Sequence, residues 1–262
     1  MSAPVVPLES TLRAARDGGR KLLVPYVTGG LGPQWGDVLR AFADAGADAA
    51  EIGIPFSDPV MDGPTIQEAS QRALDLGATP MSILDQAREV DAGIPLVAMT
   101  YYNLVFRAGH RRFARSLVDS GIAGAIVPDL PLEELEPWAG AADEAGVETV
   151  LLASPVTPDD RLVRIAERSR GFVYGVGLMG VTGARERLAE TAAVMAKRLK
   201  AVTDRPVLIG FGVSTPEQAV ELCHDADGVI IASALMRMFL DGGSPSELGA
   251  FLAGVRRALD RG

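Results

Sequence analysis

The chain predicts a single (β/α)8, or TIM, barrel with an extra helix at its N-terminal end. Three observations carry this prediction. Eight short apolar runs punctuate the sequence, amphipathic stretches rich in Ala, Arg and Glu separate them, and the whole spans 262 residues. Strands alternating with helices indicate parallel βαβ units. Eight such units in about 250 residues favour a closed barrel over an open doubly wound sheet.

Residues 8–17 (LESTLRAARD) supply the extra helix, and the first strand follows at 22–28 (LLVPYVT). A helix at 35–45 leads to the second strand, 49–54 (AAEIGI), and a Pro/Asp/Gly-rich loop precedes helices at 65–76 and 81–90. The third strand is placed at 96–102 (LVAMTYY), with a helix at 111–120, and the fourth at 124–129 (GAIVPD), with a helix at 132–145. Strand 149–154 (TVLLAS) pairs with helix 159–169, and strand 172–177 (FVYGVG) with helix 186–202. Strands 207–212 (VLIGFG) and 228–233 (GVIIAS) follow, separated by helix 216–223, and a helix at 245–259 closes the series. No linker or charge block divides residues 1–262, and no internal period of roughly 20–50 residues occurs, so one domain is expected.

Composition narrows the function. A hydrophobic content of 48% supports a sizeable core, while a net charge of −9 argues against nucleic acid or an anionic membrane as a partner. The single cysteine, Cys223, cannot form an intrachain disulfide and fits a reducing cytoplasm. No basic start precedes a long apolar stretch, and no apolar run reaches about 18 residues, so a cytoplasmic location is expected.

The second strand carries an anomaly. Glu51 lies inside an apolar run, where an unpaired carboxyl raises its pKa instead of staying ionised. A carboxyl poised near neutrality suits general acid/base work; a structural acid held by an arginine or a backbone amide is the alternative. Asp58, Asp62 and Gln67 follow in a loop of about ten residues, a length that is often functional. Barrel active sites form at the C-terminal strand ends, which also carry Tyr101, Tyr102, Asn103, Asp129 and Tyr174.

Glycines follow the late strands in Gly180-Val-Thr-Gly183 and Gly210-Phe-Gly212, and strand eight ends in Ala232-Ser233. Glycine permits close backbone approach to an anion, and barrel loops after strands seven and eight recurrently bind phosphate. Plain turn chemistry is the alternative for each pair taken alone. Of three lysines, Lys21 falls at the opposite end of the barrel and Lys197 and Lys200 on a helix, so no Schiff base is expected. His110 and His224 lack ligand partners at useful spacing, which argues against a metal site, and no G-x-G-x-x-G follows the first strand. Carboxylate acid/base chemistry on a phosphorylated substrate remains, without metal, imine or cofactor.

The run Glu51-Ile-Gly-Ile-Pro-Phe-Ser-Asp-Pro-Val-Met-Asp-Gly-Pro-Thr-Ile-Gln67 resembles the signature of the tryptophan synthase alpha subunit family. The resemblance continues through Pro25-Tyr-Val-Thr28, Tyr101-Tyr-Asn-Leu-Val105, Pro128-Asp-Leu-Pro131, Gly180-Val-Thr-Gly183 and Gly210-Phe-Gly-Val-Ser-Thr-Pro216. It implies a lyase of tryptophan biosynthesis that cleaves indole-3-glycerol phosphate to indole and glyceraldehyde 3-phosphate. It also implies an α2β2 heterotetramer with a β subunit, which alone carries pyridoxal phosphate. Carried over by motif, Glu51 is the acid/base and Asp62 binds the indole N–H. Tyr101, Tyr174 and Phe211 line the indole pocket, while Gly183, Gly212, Ala232 and Ser233 fall at the phosphate. Thr182 closes on Asp62, and Asp58 and Pro131 face the partner. Ala232 stands where the family usually has glycine, the first loop lacks an Asp before Pro33, and Tyr102 is bulkier than usual. These departures leave room for a stand-alone lyase that releases free indole, or for a non-catalytic regulatory barrel.

Overall fold

A computed structural model of the protein describes residues 5–176, 185–210 and 212–262. Its eight parallel strands close in sequence order: β1 (Leu22–Thr28), β2 (Ala50–Gly53), β3 (Leu96–Met99), β4 (Ile122–Ile126), β5 (Glu148–Ala153), β6 (Val173–Val176), β7 (Val207–Gly210) and β8 (Gly228–Ile231). β1 pairs with both β2 and β8, which completes the barrel. The expected (β/α)8 architecture is therefore observed. Among the described residues no helix is long and apolar enough to cross a membrane.

The strands bury two faces. Their outward side chains pack under the helices with Trp35, Phe42 and Trp138. Their inward side chains, among them Leu22, Val97, Val150, Phe172 and Leu208, fill the lumen. The extra helix, α1 (Leu8–Asp17), stops the lower end by placing Leu8 and Leu12 in that inner cluster. Gly124 and Gly171 make room for it, since a Cβ at either would lie 2.9 and 2.5 Å from Leu8. Pro7, before α1, offers no side-chain cap, so Glu148 of β5 accepts the amides of Leu8 and Glu9, both at 2.8 Å. Other acids at this end are likewise engaged. Asp48 accepts the Leu23 amide and pairs with Arg20, and Asp227 accepts the Val207 amide and pairs with Lys200.

Several boundaries differ from those expected. The third strand stops at Met99, and Tyr102 begins a helix, α5 (Tyr102–Ala108), which the sequence did not indicate. The fourth strand lies earlier, and Val127–Asp129 forms the loop above it. The stretch 132–145 divides into a 3-10 turn (Leu132–Glu134) and α7 (Glu136–Ala145), because Pro137 is tolerated only in a first helical turn. The eighth strand stops at Ile231, and α11 (Ser233–Leu240) follows at once.

Glu148→Ala removes both acceptors from the start of α1. It is expected to lower the unfolding free energy by about 1–3 kcal/mol in urea titration. Unchanged stability would show that the lower plug contributes nothing to the fold.

Candidate active site

At the upper end, Glu51 on β2 stands in register between Tyr26 on β1 and Val97 on β3. It is 1% exposed, and no described residue forms a hydrogen bond or ion pair with it; its Oε1 is buried without a partner. The structural alternative, an arginine or amide holding this acid, is thus not met among the described residues. Burial alone pushes the Glu51 carboxyl up to about 8, because desolvation penalises the charged form. Glu51 is accordingly mostly protonated at pH 7.

Two tyrosines share this chamber, each leaning over a glycine of the next strand. The Tyr26 hydroxyl occupies the place where a side chain at Gly53 would begin, and the Tyr174 ring lies 2.6 Å from where a Cβ at Gly210 would sit. The Thr28 hydroxyl donates to the Tyr26 hydroxyl at 3.3 Å. Desolvation, reinforced by the charges of Asp62 and Glu51, raises both phenols. Sequence reasoning missed Tyr26. The signal was available, since Tyr26 falls on the inward face of a strand adjoining that of Glu51.

The loop 54–63 brings in the second acid. Phe56 stacks on Tyr101 with ring centroids 5.0 Å apart, the Met61 backbone amide donates to the Tyr101 hydroxyl at 3.0 Å, and the Gln67 side-chain amide donates to the Asp62 backbone carbonyl at 2.8 Å. These contacts hold Asp62 over the barrel. Burial pushes its carboxyl up to about 6, and a hydrogen bond from the Tyr101 hydroxyl opposes the rise. Asp62 is therefore mostly ionised at pH 7 while Glu51 is not. Among the described residues the groups acting electrostatically on Tyr26, Tyr101 and Tyr174 are all acidic, and ionised Asp62 favours positive charge on whatever enters.

Two cavities open beside the pair. One, about 540 Å³, is lined chiefly by apolar residues including Met61, Val127, Leu152 and Val176, with Asp129 and Pro131 also on its wall. The other, about 470 Å³, is lined by Gly63, Thr65, Tyr174, Gly212, Ala232 and Ser233. Gly212 has φ +71°, which disfavours any side chain there, and Ser233 is the first residue of α11. A helix start and a bare backbone on one wall suit an anion. Asp58 and Pro131 are both exposed on the upper loops, Asp58 accepting a hydrogen bond from the Ser57 hydroxyl. Thr182, Gly183 and Phe211 lie outside the described residues. No group of His, Cys, Asp or Glu able to hold a metal occurs among the described residues.

The raised pKa of Glu51 has a sign in stability. Its contribution is fully present below the carboxyl's unfolded value and is lost as pH rises through about 8. Glu51→Gln lacks this dependence. Relative to wild type, the variant is expected to gain roughly a few kcal/mol between pH 5 and pH 9 by denaturant titration. Parallel stability curves would contradict a neutral buried Glu51.

Comparison with known proteins places the chain in a family. The family profile of the tryptophan synthase alpha chain matches residues 12–247. The chain is 42% identical over 260 residues to the tryptophan synthase alpha chain of Streptomyces coelicolor, covering 98% of this chain and 95% of that protein. It is 40% identical to that of Methanosarcina barkeri, over 95% and 96% of the two chains. Among solved structures it is similar to Mycobacterium tuberculosis tryptophan synthase, with a TM-score of 0.89, 36% identity and 98% of each chain covered. The tryptophan synthase alpha chain of Legionella pneumophila superposes with a TM-score of 0.85 at 30% identity, covering 97% of each chain. With the eight-stranded barrel and the matches along nearly its full length, the chain belongs to the tryptophan synthase alpha chain family.

Proposed function

We propose that the protein cleaves indole-3-glycerol phosphate to indole and glyceraldehyde 3-phosphate, with Glu51 as acid and base and Asp62 as the counter-charge. The observation that carries this reading is the opposed state of two carboxyls in one chamber, Glu51 pushed up to about 8 and Asp62 to about 6. At neutral pH one has a proton to give and the other a charge to offer.

The chemistry uses both. Protonation of indole C3 by Glu51 places positive charge on the ring nitrogen, whose N–H donates to the Asp62 carboxylate. The resulting Glu51 carboxylate takes the proton of the side-chain hydroxyl next to C3. The C–C bond breaks, its electrons restore the aromatic ring, and the hydroxyl carbon becomes the aldehyde of glyceraldehyde 3-phosphate. Glu51 ends as it began, protonated. The acid-only field around Tyr26, Tyr101 and Tyr174 favours the cationic ring.

The apolar cavity suits the indole, with Tyr101 and Tyr174 nearby, and the glycine-lined cavity suits the phosphate at Gly212 and Ser233. The Cβ of Ala232 narrows that anion site. Gly183, Thr182 and Phe211 complete the pocket in this reading, Thr182 meeting Asp62 when the lid closes. No cofactor takes part in this subunit, and pyridoxal phosphate belongs to a β partner in an α2β2 assembly in the cytoplasm. Asp58 and Pro131 face that partner, and the exposed apolar side chains of Val60 on the loop after β2 and Phe106 on α5 give it a surface to cover. A stand-alone lyase is the second reading, distinguished by a rate indifferent to an added β subunit.

Release of indole from indole-3-glycerol phosphate tests the proposal. Glu51→Gln is expected to lower kcat by roughly 10²–10⁴-fold, the usual worth of a general acid/base. Substantial activity in this variant would remove Glu51 from the chemistry. The pH profile of kcat/KM should rise through about 6 as Asp62 ionises and fall through about 8 as Glu51 loses its proton. An addition of β subunit should accelerate turnover.

A further inference from the structure

Helix α5 begins without a cap of its own. Tyr101, the residue before it, makes no side-chain cap, although its backbone is extended as a capping residue's would be. The missing acceptor comes from another strand: Asp129, in the loop after β4, takes the Tyr102 amide on its Oδ1 at 2.8 Å. This bond fixes the point at which the chain turns from strand to helix, and Tyr101 sits on that turn. Tyr101 is 4% exposed, stacked on Phe56, with its hydroxyl accepting the Met61 amide. Asp62 follows Met61 directly in the chain, and the Tyr101 hydroxyl favours its ionised form.

We infer that Asp129 is a positioning residue for Asp62, acting through Tyr101. The route runs from the Asp129 carboxylate to the first amide of α5, then from the Tyr101 hydroxyl to the backbone amide of Met61, the residue that precedes Asp62. Asp129 lies on the wall of the apolar cavity, whose lining includes Met61 but neither Glu51 nor Asp62. It is two residues from Pro131, so the same short segment spans the exposed rim and the support of Asp62. A helix cap supplied from 27 residues away in sequence has this consequence: the start of α5 is set by the barrel itself and not by the local chain.

This inference rests on the proposed role of Asp62 for its catalytic meaning, but its test does not. The groups facing Asp62 from the packed elements are Tyr101, Tyr26, Glu51 and Tyr174. The measurement is the Asp62 carboxyl titration by carbon NMR in the ligand-free protein, assigned with Asp62→Asn. In Asp129→Ala the Tyr101 hydroxyl loses its fixed position and Asp62 loses a donor that favours its ionised form. Its pKa should rise by roughly one pH unit. Simple removal of the Asp129 charge would act oppositely and lower it. Asp129→Asn keeps a carbonyl acceptor for the Tyr102 amide and should leave the Asp62 titration at or slightly below its wild-type position. Asp129→Leu, which preserves bulk, should reproduce the rise if the alanine variant folds poorly. Tyr101→Phe should give the same rise, and adding Asp129→Ala to it should raise the value no further. An unmoved or lowered Asp62 titration in Asp129→Ala and Asp129→Leu overturns the inference. If wild type fails to cleave indole-3-glycerol phosphate while these titrations behave as stated, the proposed function fails and the positioning role stands. Where the lyase reaction is measured, the rising limb near pH 6 should move up in Asp129→Ala with kcat reduced about tenfold.

Discussion

A carboxyl group buried without a partner among the described residues is the constraint around which this barrel is organised. Moving a carboxylate out of water costs several kcal/mol, and proteins usually offset that with a cation or a set of amides. This barrel does so at its lower end. Asp48, Glu148 and Asp227 each accept backbone amides there, and Asp48 and Asp227 also meet a cation. Glu51, at the upper end, receives neither from the described residues. One side-chain chemistry thus has two outcomes within one sheet, and the difference lies in what surrounds it. At the bottom a carboxylate ties strands and a helix together; in the upper lumen a neutral acid keeps a proton that it can lose.

The rest of the upper end follows from keeping that acid dry and giving it a complement. α1 stops the bottom of the lumen with Leu8 and Leu12, and Tyr26 and Tyr174 fill the space beside Glu51. These phenols fit only because Gly53 and Gly210 lack side chains. The ten-residue loop then swings Asp62 over the opening, less buried than Glu51 and supported by Tyr101, so that it ionises about two pH units earlier. Without the gap between the two pKa values, both groups would carry protons or both would carry charge. Either case leaves acid/base chemistry with only one of its two parts.

Much of this was legible in the sequence. Strand-length apolar runs at a regular spacing predicted eight parallel strands, and Glu51 stood out because it interrupts one of them. The starts of α5 and α11 were not legible, for physical reasons. Helix starts announce themselves locally through a capping side chain, as Thr79, Thr215 and Ser244 do for their helices. α5 takes its acceptor from Asp129 on a distant loop, and Ala232 before α11 has no side-chain acceptor at all. Tyr101 and Tyr102 also favour strands intrinsically, which extended the third strand on paper. Tyr26 escaped notice because its importance depends on Gly53, a residue of the neighbouring strand, and no linear pattern joins the two. Asp62 was found by its motif, whereas its support by Gln67 and Tyr101 needed three-dimensional contacts.

The central claim is that Glu51 carries a proton at neutral pH because no described residue around it stabilises the ion. Infrared difference spectroscopy between wild type and Glu51→Gln reads that proton directly, since a protonated carboxyl and a carboxylate absorb at separate frequencies. At pH 7 the difference spectrum should contain the band of a buried, protonated carboxylic acid, converting to carboxylate as pH rises through about 8. A carboxylate band already present at pH 6 would contradict the account.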